Sequence, residues 1–253
     1  MKTIKNIILI LALQITYCAT LSAQDAEFKE AETAYKQEDY NKAIELYESL
    51  LKSYGDSYEI YYNLGNAYYK TDKIAPAILN YERALLINPG DGDVRFNLEM
   101  AKLKITDKVE TIGDFFLTKW IRSVQNLLNV DTWATVGIVC FILLIGCLIL
   151  FFFSKWMRLK KIGFYVGILL LIVVVCANIF AYNEKKALTT RDAAIIFSPT
   201  VTIKSSPDAS GTVLFVLHEG TKVFIKSSLG EWYEIRLEDG KEGWIQQGNI
   251  EKI

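Results

Sequence analysis

The sequence predicts a multidomain membrane protein in which an all-α helical repeat, a two-helix transmembrane hairpin and an all-β barrel follow one another. Three observations carry this reading. Residues 25–105 repeat themselves at a spacing of 34, two charge-free apolar runs fill 132–153 and 162–182, and apolar side chains alternate with period two after Arg191.

The leading segment sets the topology. Lys2 and Lys5 precede an apolar run over 7–17 and small residues over 19–24, the layout of a signal peptide spanning 1–24. A lipoprotein reading through Cys18 is weaker, because Tyr17 stands where a small residue is needed. Each later run has about the 20 residues that cross a bilayer as a helix. The turn at 154–161 holds Lys155, Arg158, Lys160 and Lys161 and no acid, which assigns it to the cytoplasm. Lys185, Lys186 and Arg191 on the far flank blur that bias. The leader argues independently: it exports the chain, the first span returns it and the second sends it out again. The expected protein is a multi-pass component of a bacterial inner membrane, with its N- and C-terminal blocks in the periplasm.

Between 111 and 130, Phe115, Phe116, Trp120, Ile121, Val124, Leu127 and Leu128 recur at helical spacing. Such an amphipathic helix either lies in the membrane interface or packs on the end of the repeat as a cap.

Charge is segregated. Residues 25–114 carry a net −7, residues 115–191 a net +7 and residues 192–253 a net −3. Acidic polar blocks without a basic stripe argue against nucleic acid as a partner. Neither block contains cysteine, which excludes a structural disulfide or thiolate zinc site there. The cysteines in the apolar runs read as small apolar side chains.

In the first block, Ala43-Ile44 recurs as Ala77-Ile78, Tyr47 as Tyr81 and Asn63-Leu64 as Asn97-Leu98. The unit 58–91 has Tyr61, Leu64-Gly65, Ala67-Tyr68, Ala77, Tyr81, Ala84 and Pro89 in the places that resemble the tetratricopeptide (TPR) consensus. The unit 24–57 matches less fully, and a helix over 92–104 supplies half a repeat, giving about 2.5 repeats. Gly65 and Ala77 are small where paired helices cross, and Asp91 and Asp93 cap the helix that follows Pro89. The resemblance implies a peptide- or helix-binding groove, in which Tyr35, Lys36, Tyr62, Asn66, Tyr69 and Lys70 would stand. The bland alternative is that these tyrosines only cover the neighbouring helix. Phe28 occupies a place where the carboxylate-clamping variant has lysine, so that ligand is not implied.

In the last block, short alternating runs from Val201 to Ile245 are separated by Ser206-Pro207, Ser210-Gly211, Glu219-Gly220, Leu229-Gly230 and Asp239-Gly240, about five strands in all. The segments 201–207, 217–223, Gly230-Glu231-Trp232-Tyr233-Glu234-Ile235 and Gly240-Lys241-Glu242-Gly243-Trp244-Ile245 resemble bacterial SH3 (SH3b) domains, expected over 192–253. That resemblance implies a shallow ligand groove with Trp232, Tyr233 and Trp244 as aromatic candidates, unless the tryptophans serve the core. His218, the one histidine, lies in a turn without a second metal ligand.

No paired nucleophile and base, phosphate loop or HExxH motif is present in the sequence, so an enzyme with a catalytic or cofactor site is not expected. The whole order of parts resembles the BatE proteins of the Bacteroides aerotolerance (Bat) operon. That resemblance implies an adaptor assembling with von Willebrand A-type membrane proteins of the same operon, in aerotolerance or envelope stress. Peptidoglycan binding through the SH3b block is the alternative.

Overall fold

The computed structural model describes residues 24–108 and 116–253. Residues 1–23 of the leader expected over 1–24, and the first residues of the amphipathic segment, 111–115, lie outside the described residues. Helix α1 covers residues 24–36, followed by α2 (Tyr40–Tyr54), α3 (Tyr58–Lys70), α4 (Ile74–Ile87) and α5 (Gly92–Lys102). These pack as successive antiparallel pairs with α5 closing the stack.

Local chemistry sets the boundaries. Asp39 accepts the Lys42 N–H at 3.2 Å to start α2, which stops at Gly55, a left-handed position at φ +86° that favours glycine. Asp91 starts α5 as expected: Oδ1 accepts the N–H groups of Asp93 and Val94 at 2.9 Å, and Tyr58 Oη donates to Oδ2. At Gly65 a Cβ would lie 2.7 Å from the Tyr81 ring, so the α3–α4 crossing requires glycine.

Helix α4 is buried in an unbroken run over Leu79, Asn80, Tyr81 and Glu82, which spans more than one helical face. One face meets α3 and α5. The other is covered by the C-terminal sheet.

That sheet has seven strands: β1 (Ala193–Ile196), β2 (Thr200–Lys204), β3 (Val213–His218), β4 (Lys222–Leu229), β5 (Trp232–Arg236), β6 (Glu242–Gln246) and β7 (Ile250–Lys252). The order is β3-β2-β6-β5-β4-β1-β7 and the pairs are antiparallel. The sheet is not closed into the expected barrel. Strands β3 and β7 are the edges, each paired on one side only, and β2 meets β6 at a single position, Lys204 opposite Trp244. Ile253 serves both layers: its N–H donates to the Ala193 carbonyl at 3.0 Å beside the β1–β7 pairing, and its side chain is buried in the helical core.

Strand β1 explains the union. Ala194 and Ile196 point into the core of the sheet, with Ile203, Val223, Ile235 and Ile245, whereas Ile195 joins the core of α4 and α5. A strand buried on both faces loses its polar alternation, which is why Ala193-Ala194-Ile195-Ile196 is a continuous apolar run.

Helices α6 (Phe116–Gln125), α7 (Val130–Phe153) and α8 (Met157–Thr190) form the middle. α7 and α8 are long and apolar enough to cross a membrane, and they pair as a hairpin. Small residues line their contact: a Cβ at Gly163 would lie 2.8 Å from the Cys147 carbonyl oxygen, and Gly137, Gly167 and Ala177 are buried. The connection is shorter than the expected 154–161, because α8 already begins at Met157. With 34 residues, α8 extends about 50 Å, well beyond the roughly 30 Å of a bilayer core. Its excess turns pack on the helical stack, where Leu188 and Arg191 line a cleft with Leu86 and Ile87 and Arg191 pairs with Asp56 at 2.5 Å. The stack and the sheet therefore sit together at the hairpin end opposite its turn.

Candidate partner-binding surfaces

The helical groove is built from α1, α3 and α5. Tyr35 meets Tyr40 edge to face at 5.2 Å, and Tyr62 stacks on Tyr58 at 6.4 Å. Asn66 is at the centre: its Oδ1 accepts from Tyr81 Oη at 2.8 Å and from Asn97 Nδ2 at 2.9 Å. Tyr69 lies under Lys104 Nζ at 4.6 Å, and Lys104 pairs with Asp72 at 2.7 Å. Burial, followed by the nearby hydroxyls of Tyr35, Tyr62 and Tyr69, pushes the Tyr81 phenol well above its ordinary range. Of the expected groove tyrosines, Tyr62 lies 6.5 Å from the Tyr81 ring. Tyr35, Tyr62 and Tyr69 are half-buried, while Lys36 and Lys70 stand exposed at the ends of their helices. The surface can offer aromatic faces, hydroxyls and ammonium groups to a peptide, whereas Asn66 is committed to the internal network.

On the sheet the candidates divide. Trp232 and Trp244 stand on the outer face of the β5–β6 hairpin, opposite Gln246 and Glu234 respectively. Both are half-buried, so Trp244 is not a core residue. Tyr233 points the other way, against the sheet core, with Lys252 Nζ 4.9 Å over its ring. Trp232 borders a cavity of about 330 Å³ with Thr200, Thr202, Ala209 and Lys204, whose Nζ lies 5.7 Å from the indole.

The sequence leaves open whether stack and sheet touch, and the structure joins them. Glu82, on α4, is buried and accepts from Lys222 Nζ at 2.6 Å through Oε2. Lys102 Nζ is 3.3 Å from Oε1 as an ion pair, without hydrogen-bond geometry. Burial alone would raise the Glu82 carboxyl, but Lys222 and Lys102 outweigh it and hold it below the usual range. Arg83 Nη2 donates to Glu251 at 3.1 Å and to the Lys252 carbonyl at 2.6 Å. Below α5, Asp107 accepts the His218 and Thr221 donors: His218 N–H at 2.6 Å and Thr221 Oγ1 at 2.8 Å on Oδ2, with His218 Nδ1 at 2.8 Å from Oδ1. The histidine is thus part of an interdomain clasp. The one local signal was the unbroken apolar run of β1.

Comparison with known families agrees with this division. Residues 28–92 match the tetratricopeptide repeat model and residues 199–251 match the bacterial SH3 domain model. A search of curated proteins gives no match. The chain carries a TPR region and a bacterial SH3 domain, joined by two helices apolar enough to span a membrane.

Proposed function

We propose that this chain is a membrane-anchored periplasmic adaptor that presents its TPR groove to a protein partner while its SH3b sheet braces the stack. One observation carries the reading. The sheet docks on α4 and the segment after α5, while Tyr35, Tyr62 and Tyr69 stand half-buried on α1 and α3. The role is non-enzymatic. The order of parts and its likeness to BatE proteins favour von Willebrand A-type membrane proteins as partners, in aerotolerance or envelope stress.

The test is a photo-crosslinking residue at Tyr69 in intact cells. A discrete adduct containing a von Willebrand A-type membrane protein supports the adaptor, and the absence of any membrane-protein adduct counts against it. The cavity beside Trp232 and Lys204 favours one second reading, peptidoglycan binding. In that case the detergent-solubilised full chain sediments with isolated peptidoglycan, and Trp232→Ala abolishes sedimentation without unfolding.

A further inference from the structure

Helix α6 divides cleanly around its axis. At 3.6 residues per turn, Phe116, Leu117, Trp120, Ile121 and Val124 fall on one arc, with Thr118, Lys119, Arg122 and Ser123 on the other. A helix so divided ordinarily buries its apolar arc against protein. This one buries no residue: Trp120 is 64% exposed and Leu117 and Ile121 are 46% and 42% exposed.

Its place is fixed by its other end. Gln125 Nε2 donates to Glu184 Oε1 at 2.8 Å, Asn183 Nδ2 reaches Gln125 Oε1 at 3.4 Å, and Trp133 Nε1 donates to the Gln125 carbonyl at 2.8 Å. At Gly90 a Cβ would lie 2.8 Å from the Leu127 carbonyl oxygen, so the segment after α6 also abuts the TPR turn. Helix α6 is therefore held where α7 begins and α8 leaves its apolar stretch. The exposed charges at that level are mostly basic: Lys119, Arg122, Lys185 and Lys186, against Asp131, since Glu184 is buried and bonded to Gln125. An exposed apolar arc continuous with two membrane spans and ringed by cations matches a leaflet of anionic phospholipid.

We infer that α6 seats Leu117, Trp120 and Ile121 in an anionic phospholipid leaflet, with Lys119, Lys185 and Lys186 on its headgroups, and thereby fixes the TPR stack against the membrane. This rests on the membrane reading of α7 and α8.

The experiment uses the full chain with its four cysteines replaced by alanine, reconstituted in vesicles of phosphatidylethanolamine and phosphatidylglycerol. Spin labels are placed singly at 117, 118, 119, 120, 121 and, as a control, at Ile142 within α7. The expected result is an oxygen-dominated collision profile at 117, 120 and 121, a nickel-dominated one at 118 and 119, and loss of oxygen dominance at 120 when phosphatidylcholine replaces phosphatidylglycerol. The double variant Lys119→Gln/Lys185→Gln should show that loss even in anionic vesicles while position 142 is unchanged. Uniform nickel access along α6 with 142 in lipid overturns the inference and spares the membrane reading. An immersed α6 indifferent to lipid charge overturns the headgroup assignment. Nickel access at 142 overturns both readings.

Discussion

Lys222 of the sheet and Glu82 of the helical stack meet through a 2.6 Å hydrogen bond in a buried contact, 140 residues apart in sequence. The pair sits where α4 would otherwise face water, and Lys102 adds a second cation. Removing one member of a buried pair leaves its partner desolvated and uncompensated. Glu82→Gln is expected to destabilise the detergent-solubilised chain by about 3 kcal/mol in chemical denaturation. The triple variant Glu82→Leu/Lys102→Leu/Lys222→Leu should recover much of that loss, because apolar groups need no mutual charge.

Acid should weaken the same contact. Glu82 is held below its ordinary 4.5 and Asp107 below 3.8, against the opposing effect of burial, by Lys222 and Lys102 and by the His218 and Thr221 donors respectively. Depressed folded-state values contribute stability that is complete above the unfolded values and is lost as pH falls through the folded ones. The melting temperature should hold steady down to about pH 5 and drop below it. Glu82→Gln should start lower and fall less steeply in a thermal melt followed by circular dichroism.

The two cores should also fail together. Ile195 is fully buried in the helical core while its neighbours Ala194 and Ile196 lie in the core of the sheet. Ile195→Ala is expected to cost about 2–4 kcal/mol and to leave one shared unfolding transition at a lower midpoint. A fragment of residues 199–253, cut near the SH3 match, lacks β1, which lies between β4 and β7 and pairs with both. It should show less strand signal by circular dichroism than residues 192–253.

These long-range ties mark the limit of what the sequence shows. Repeat spacing, the glycine at the α3–α4 crossing, the Asp91 cap and the apolar spans are properties of short windows, and each could be read from its own residues. The Glu82–Lys222 pair, the Asp107–His218 clasp and the insertion of Ile253 join residues more than a hundred positions apart, and no local pattern encodes them. Among the groove residues, Asn66 read as a ligand because its position faces the groove, but its bonds to Tyr81 and Asn97 depend on tertiary packing.

Glycine substitutions separate close approach from open space. In a helix interior, glycine to alanine should gain roughly 1 kcal/mol of propensity. At Gly65 the new methyl meets the Tyr81 ring at 2.7 Å, and that ring is buried and held by Asn66. Overpacking of about 1–3 kcal/mol should prevail there, so Gly65→Ala lowers the denaturation midpoint. Gly146→Ala, with nothing within 4 Å, should leave it unchanged or raise it.

The central claim, that both modules stand on one side of a membrane hairpin with its turn on the other, is tested most directly by cysteine labelling. In a background with the four native cysteines replaced by alanine, single cysteines at Lys70, Lys241 and Arg158 are exposed to an impermeant maleimide in cells whose outer membrane alone is permeabilised. The account predicts labelling at 70 and 241, and labelling at 158 only after the inner membrane is breached. Labelling at 158 in intact inner membranes, or opposite behaviour at 70 and 241, would contradict it.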